Sequence, residues 1–210
     1  MTINQILSYV TIGLLAVFLV GGFVFNNITV QPPEVQQPVV EEQVETASTT
    51  SETGQIVKNG TFDEGEDLND QAENPNSWWL WQASDYDISP AKAVAKIEDG
   101  TAKIKVINPG GETWHIQFDQ WIKLEREAKY EISFKVKADI SRIIFVKVLQ
   151  NHDPYTIYFE QKINLTQEWQ TFTFEFTLPP DADEVVNLSF ELGLDKPTTI
   201  YLDDVNIVKE

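Results

Sequence analysis

The chain has 210 residues, 33 acidic side chains against 15 basic ones, and no cysteine. A formal net charge of -18 argues against a nucleic-acid partner, because phosphate binding needs a basic face. Without cysteine there is no disulfide scaffold, thiolate metal site, cysteine nucleophile or lipoprotein anchor, while 6 Trp, 6 Tyr and 12 Phe can build a core.

No charged side chain precedes Glu34. Within that stretch Ile6 to Phe25, ILSYVTIGLLAVFLVGGFVF, is uncharged and apolar on every face. At about 1.5 Å per residue it is long enough for the roughly 30 Å of a bilayer core. It is expected to be an N-terminal transmembrane helix, within an anchor spanning residues 1–30. A cleaved signal peptide is the alternative, although the segment lacks a basic start and an A-x-A site. Residues 31–54, QPPEVQQPVVEEQVETASTTSETG, have no aromatic residue and no periodic apolar face. Such a composition cannot offset the entropy of ordering, so a disordered acidic linker is expected. All 15 basic residues lie from Lys58 onward.

From Gln55 to the end, residues 55–210, the pattern changes to period two. Ala102, Ile104 and Val106 alternate with Lys103 and Lys105, and Tyr130, Ile132, Phe134 and Val136 alternate with polar residues. Phe172, Phe174 and Phe176 form a third series, and Val186, Leu188, Phe190 and Leu192 a fourth, with Asn187, Ser189 and Glu191 between them. These are half-buried antiparallel strands. Turn signals at Asp99-Gly100, Asn108 to Gly111 and Pro179-Pro180-Asp181 separate them. About ten antiparallel strands and no convincing helix predict an all-β domain, a jelly-roll β-sandwich. Two strands break the rule. Arg142 to Gln150 is apolar on both faces, so it is either covered on both sides or carries a binding surface. In the last strand the apolar phase flips at Asp203-Asp204, which a bulge would explain.

Three groups of residues could carry chemistry. Asp63, Asp99 and Asp203 come from the start, the first third and the end of the domain, and oxygen ligands of this kind suit calcium; most acids in so acidic a chain are merely solvated. Trp114 follows the loop NPGGET and opens the segment WHIQF, in which His115 and Gln117 share a face; Tyr155 and Tyr158 lie near the NHDP turn. Flat rings beside amide and imidazole groups suit a sugar ring, but a Trp at a strand start is as often a core residue. At least one ring of Trp78-Trp79-Leu80-Trp81 belongs to the core. No nucleophile elbow, metalloprotease helix or phosphate loop is present, and no pair of carboxylates is set across a site by spacing, so an enzyme is not expected.

In chain order, IVKNGTFDEG, WxLW, EDGTAKIKV, WHIQFDQWIKLEREAKYEISFKVKA, TQEWQTFTFEF, LSFELGL and IYLDDVNIV resemble the carbohydrate-binding modules of families 4 and 9, a calcium-containing β-jelly-roll. The resemblance covers residues 56 to 208. It implies a structural Ca2+ held by the Thr61 carbonyl, Asp63, Asp99, the Ala102 carbonyl and Asp203, with Asp63 in place of a more usual Glu. It implies a sugar cleft using Trp114, Gln117 and, less securely placed, Tyr155, with Asn187, Ser189 and Glu191 along the same groove and His115 assisting. The chain departs from the pattern in the loop 150–159 and at Glu127, where the family typically has Gly. The reading is therefore a non-catalytic module binding a polysaccharide or oligosaccharide of β-glucan or xylan type. It would be displayed extracytoplasmically by a single-pass anchor, or secreted if the anchor is cleaved. The alternative is a cell-surface structural or protein-interaction module with no glycan ligand.

Overall fold

The computed structural model describes residues 55–65, 68 and 77–210. The expected helix at 6–25 and the linker at 31–54 lie outside the described residues. Among the described residues no helix is long and apolar enough to cross a membrane.

Ten strands follow one another: β1 (Trp79–Gln82), β2 (Lys92–Ile97), β3 (Ala102–Asn108), β4 (Ile116–Lys123), β5 (Lys129–Ala138), β6 (Arg142–Gln150), β7 (Ile157–Leu165), β8 (Gln170–Thr177), β9 (Val185–Glu191) and β10 (Thr198–Lys209). The only helical pieces described are single 3-10 turns at Ala83–Tyr86 and Thr113–His115. The strands form two five-stranded antiparallel sheets, in the orders β1-β4-β9-β6-β7 and β2-β3-β10-β5-β8. Consecutive strands thus alternate between the sheets at several points, as a jelly roll requires.

The alternating residues fill the space between the sheets. Ala102, Ile104 and Val106 of β3, Tyr130, Ile132, Phe134 and Val136 of β5, and Val186, Leu188 and Phe190 of β9 are all buried there. Phe176 is buried too, whereas Phe172 and Phe174 are only half-buried because β8 is an edge strand. Trp78 supplies the centre of this core. Its ring stacks on Phe118 with centroids 5.0 Å apart, and its Nε1 donates to the Lys58 carbonyl at 3.0 Å.

Local chemistry explains the turns. Asp99 and Gly100 both have positive φ (53° and 66°), joining β2 to β3 in a two-residue turn closed by Glu98 and Thr101 backbone bonds. Glu127, where the family-typical residue is Gly, also sits at φ 60°, a conformation Gly adopts without steric cost. The phase flip in β10 is a bulge. Asp203 pairs with Lys135 and Asn206 with Ser133, so three steps on β10 oppose two on β5. Ile200, Leu202, Val205 and Ile207 all reach the core as a result. The segment before β1 docks on this bulge, the Val205 N–H donating to the Gly60 carbonyl at 2.9 Å. A Cβ at Gly60 would lie 1.9 Å from the Val205 carbonyl oxygen, so no larger residue fits.

Candidate functional site

The first sheet is patterned on both faces. Its outer face follows from the register as three cross-strand rows. Trp81, Gln117, Glu191 and Phe145 form one, Trp79, Asp119, Ser189 and Lys147 the next, and Trp121, Asn187, Leu149 and Ile157 the third. Loops rise on either side of these rows, and together they enclose a cleft of about 760 Å3. One wall is aromatic: Trp81 stacks on Tyr86 at 5.3 Å and leans against Trp114 at 6.0 Å, while Trp79 and Trp121 meet edge to face at 5.6 Å. Tyr155 and Ile157 line it from the other side.

The wall that carries Trp114 is held from behind. The NPGGET loop ends in the 3-10 turn Thr113–His115 and not in a strand start. The reason is local: the Gly111 N–H donates to His115 Nδ1 at 3.1 Å and the His115 N–H to the Glu112 carbonyl at 3.2 Å. Gly110, at φ 73°, lies so close that a Cβ there would come within 2.5 Å of His115 Nδ1. The Gly193 N–H also bonds the Thr113 carbonyl at 2.8 Å, tying the loop to the end of β9. Trp114 itself is 38% exposed, with its ring edge-to-face on His115. The opposite loop is anchored through Asp183, whose carboxylate accepts from Gln150 and faces His152, both at 2.9 Å.

The floor is polar yet buried. Lys147 bridges Glu191 at 2.9 Å and Glu160 at 3.1 Å, and Thr113 Oγ1 donates to the same Glu191 carboxylate. Glu191 is only 3% exposed, so its charge is tolerated because it is paired and hydrogen-bonded. Asn187 Nδ2 donates to Asp119 at 2.9 Å, and Ser189 Oγ to Gln117 at 3.4 Å. Burial pushes the Asp119 carboxyl up to about 7; the Ser189 and Asn187 hydrogen bonds pull it down and the Glu191 charge adds to the rise. Such a surface suits a neutral polyol, with rings to stack on its faces and fixed amides and charges to meet its hydroxyls.

The residues expected to hold calcium lie by the β2–β3 turn and the bulge of β10, in the other sheet. A Cβ on Gly100 would lie 3.4 Å from Asp63 Oδ1 and 4.0 Å from the Thr61 carbonyl, so these two oxygens face the Asp99-Gly100 turn. Burial raises the Asp203 carboxyl, and the charges of Asp204 and Asp63 add to the rise. Anionic oxygens with incomplete compensation suit a hard cation. Yet among the described residues no three His, Asp or Glu side chains gather into a metal-binding group, so carbonyl oxygens would have to complete the shell.

A family model for the carbohydrate binding domain of families 4 and 9 matches residues 54–199. The chain belongs to this family. A solved structure, "CBM4 structure and function", is 57% identical with a TM-score of 0.71, covering 73% of this chain and 99% of that one. The N-terminal cellulose-binding domain of β-1,4-glucanase C from Cellulomonas fimi shares the fold at 20% identity and a TM-score of 0.50, over 66% of this chain and 91% of that one. A cellulose 1,4-β-cellobiosidase of Acetivibrio thermocellus is 30% identical over 115 residues, half of this chain. The match spans only 13% of that enzyme. The fold is accordingly a non-catalytic carbohydrate-binding domain.

In this carbohydrate-binding domain Trp114, Gln117, Tyr155, Asn187 and Glu191 all line one cleft. Ser189 lies on the same face but is fully covered, beneath Gln117. His115 is placed behind the wall, buried, as a support for the Trp114 turn, and does not share the Gln117 face. Other lining residues were not anticipated from the sequence, among them Trp79, Trp81, Trp121, Asp119 and Lys147. Asp119 and Trp121 are in phase with Gln117, and Lys147 with Phe145 and Leu149, a period-two signal that was available in the sequence. On the second face of the two-faced strand β6, Lys147 and Leu149 line the cleft, both nearly buried.

Proposed function

We propose that this carbohydrate-binding domain holds a β-linked glucan or xylan chain in the cleft of the first sheet without altering it. The observation that carries this reading is the cleft itself: about 760 Å3, open, walled by Trp79, Trp81, Trp114 and Tyr155 over a floor of Gln117, Asn187 and Glu191. Pyranose faces stack on the rings and hydroxyls bond to the floor. The cellulose-directed names of two relatives support a β-1,4-linked chain. A protein-interaction role without a glycan would suit a flat face or a Trp114 covered by its loop, whereas the face is a cleft and Trp114 is exposed. Isothermal titration against β-1,4-glucan, xylan, β-1,3-glucan and mannan tests the reading. Heat with one of the first two and none with mannan is expected; silence with all four at millimolar sugar ends it.

Calcium belongs to the same proposal as a structural ion, held by the Thr61 and Ala102 carbonyls, Asp63, Asp99 and Asp203. It would neutralise the carboxylates at the bulge and tie the N-terminal segment to β10, away from the cleft. Chelation should then lower the melting temperature, and added calcium should restore it by mass action. An unchanged melt removes the ion and leaves the cleft untouched.

The N-terminal segment 6–25 would display the domain outside the membrane on the 31–54 linker. Fractionation of the full chain should find it with membranes and open to added protease. Recovery in the soluble fraction with the N-terminus intact would overturn the tether.

A further inference from the structure

Among the described residues, two buried oxygens in the cleft floor have no hydrogen-bond donor: Asp119 Oδ1 and Asn187 Oδ1. They belong to side chains that are already joined, since Asn187 Nδ2 donates to Asp119 Oδ2 at 2.9 Å. An acceptor buried without a donor is costly, and native structures leave few of them. A single proton resolves both here. Placed on Asp119 Oδ1, it would donate to Asn187 Oδ1 and, with the Nδ2 bond, close a cyclic carboxylic acid–amide pair.

We infer that Asp119 and Asn187 share a proton on the cleft floor, and that this pairing fixes the Asn187 amide so that its second N–H is presented to a sugar oxygen. The second half of this inference rests on the glycan reading; the first does not. Asp119 acts here as a positioning residue, through Asn187. Burial and the Glu191 charge favour the neutral acid, against the Ser189 and Asn187 hydrogen bonds, which favour the ionised form. From β1 it meets Trp79, which carries no charge, and its own strand offers Gln117 and Trp121. From β9 come Ser189 and the anionic Glu191. The cation of this floor, Lys147 of β6, is already committed to Glu191 and to Glu160 of β7. Burial, with the Glu191 charge, raises the carboxyl to about 7, so the proton is present below neutrality and lost above it. An unfolded aspartate titrates near 4. Between those values the folded state holds a proton that the unfolded chain has released, so stability falls as pH rises from about 4 to about 7 and stays lowered above. Ionisation also sets two acceptor oxygens against each other and leaves the Asn187 amide held by its Nδ2 bond alone.

Carbon NMR of the Asp119 carboxyl in the ligand-free domain reads the pair directly, and titration calorimetry with cellohexaose and xylohexaose reads its consequence. The carboxyl should titrate near 7. Affinity should fall about five- to tenfold between about pH 6 and 9, the worth of one hydrogen bond. Asp119→Asn supplies an amide that makes both bonds at any pH, so it should remove the pH dependence of affinity and the Asp119 share of the pH dependence of stability. Asp119→Ala should weaken binding at both ends of the range. A carboxyl titrating below about 5 overturns the shared proton. A normal wild-type titration near 7 with affinity flat from pH 6 to 9 overturns the role given to Asn187. If neither oligosaccharide binds at either pH, the glycan reading and the presented N–H fall together, and the carboxyl titration alone upholds or overturns the shared proton.

Discussion

Replacing Trp114 by alanine is expected to abolish measurable glycan binding while the melting temperature stays within about 2 °C of the parent. The ring stands on a 3-10 turn at the cleft edge, 38% exposed. Its neighbours are His115 and Trp81, at centroid distances of 4.5 and 6.0 Å. The turn is closed by backbone and His115 bonds that do not involve the indole, so its removal leaves the turn intact. An aromatic anchor of this kind is worth about 2 kcal/mol or more, roughly 30-fold in affinity. Trp81, Tyr155 and the floor groups remain in the cleft, and for modest binding that loss moves affinity beyond practical concentrations. Calorimetry and a thermal melt on the same preparation check both halves. A variant that unfolds would show that Trp114 is a structural residue and would move the binding platform elsewhere.

The opposite result is expected thirty-six residues earlier. Trp78→Ala should cost about 3–5 kcal/mol of stability, a large part of the roughly 5–15 kcal/mol that holds an ordinary domain together. Trp78 is fully buried, packed between Phe62, Phe118 and Phe190 with centroids 5.0 to 6.1 Å away. Its indole nitrogen also bonds the Lys58 carbonyl, and the same backbone unit is clasped by the buried Gln120 amide through bonds of 2.7 and 2.8 Å. The variant therefore opens a cavity between the sheets and loosens the segment that closes over them. Trp78→Phe should lose less, because a ring still packs against Phe62, Phe118 and Phe190 while Gln120 satisfies the Lys58 carbonyl. Urea denaturation measures both. A cost under about 1 kcal/mol for the alanine variant would mean that the core closes without this ring, against the packing seen here.

Trp78 and Trp114 show how far one sequence can be read. In Trp78-Trp79-Leu80-Trp81 the period of two puts Trp78 and Leu80 on one face and Trp79 and Trp81 on the other. Both faces are then apolar, so alternation says nothing about which one meets the second sheet. The same holds for β6, and for Asn187, Ser189 and Glu191, whose alternation with buried residues is plain but whose own burial is not. A polar face usually faces water; here Lys147, Thr113 and the raised loops cover it.

The order and phase of the strands, the Asp99-Gly100 turn and the bulge at Asp203-Asp204 were determined by the sequence alone, because each depends on residues adjacent or two apart. So was the pairing of Trp114 and Gln117 as candidates for one surface. The cleft was decided only by tertiary structure. Trp79 and Trp81 of β1, Asp119 and Trp121 of β4, Lys147 of β6 and Asn187 of β9 meet through cross-strand register. Register is set by how two sheets close on one core, which no local pattern contains. The burial that gives Asp119 its proton is likewise a property of that closure and not of any segment of the chain.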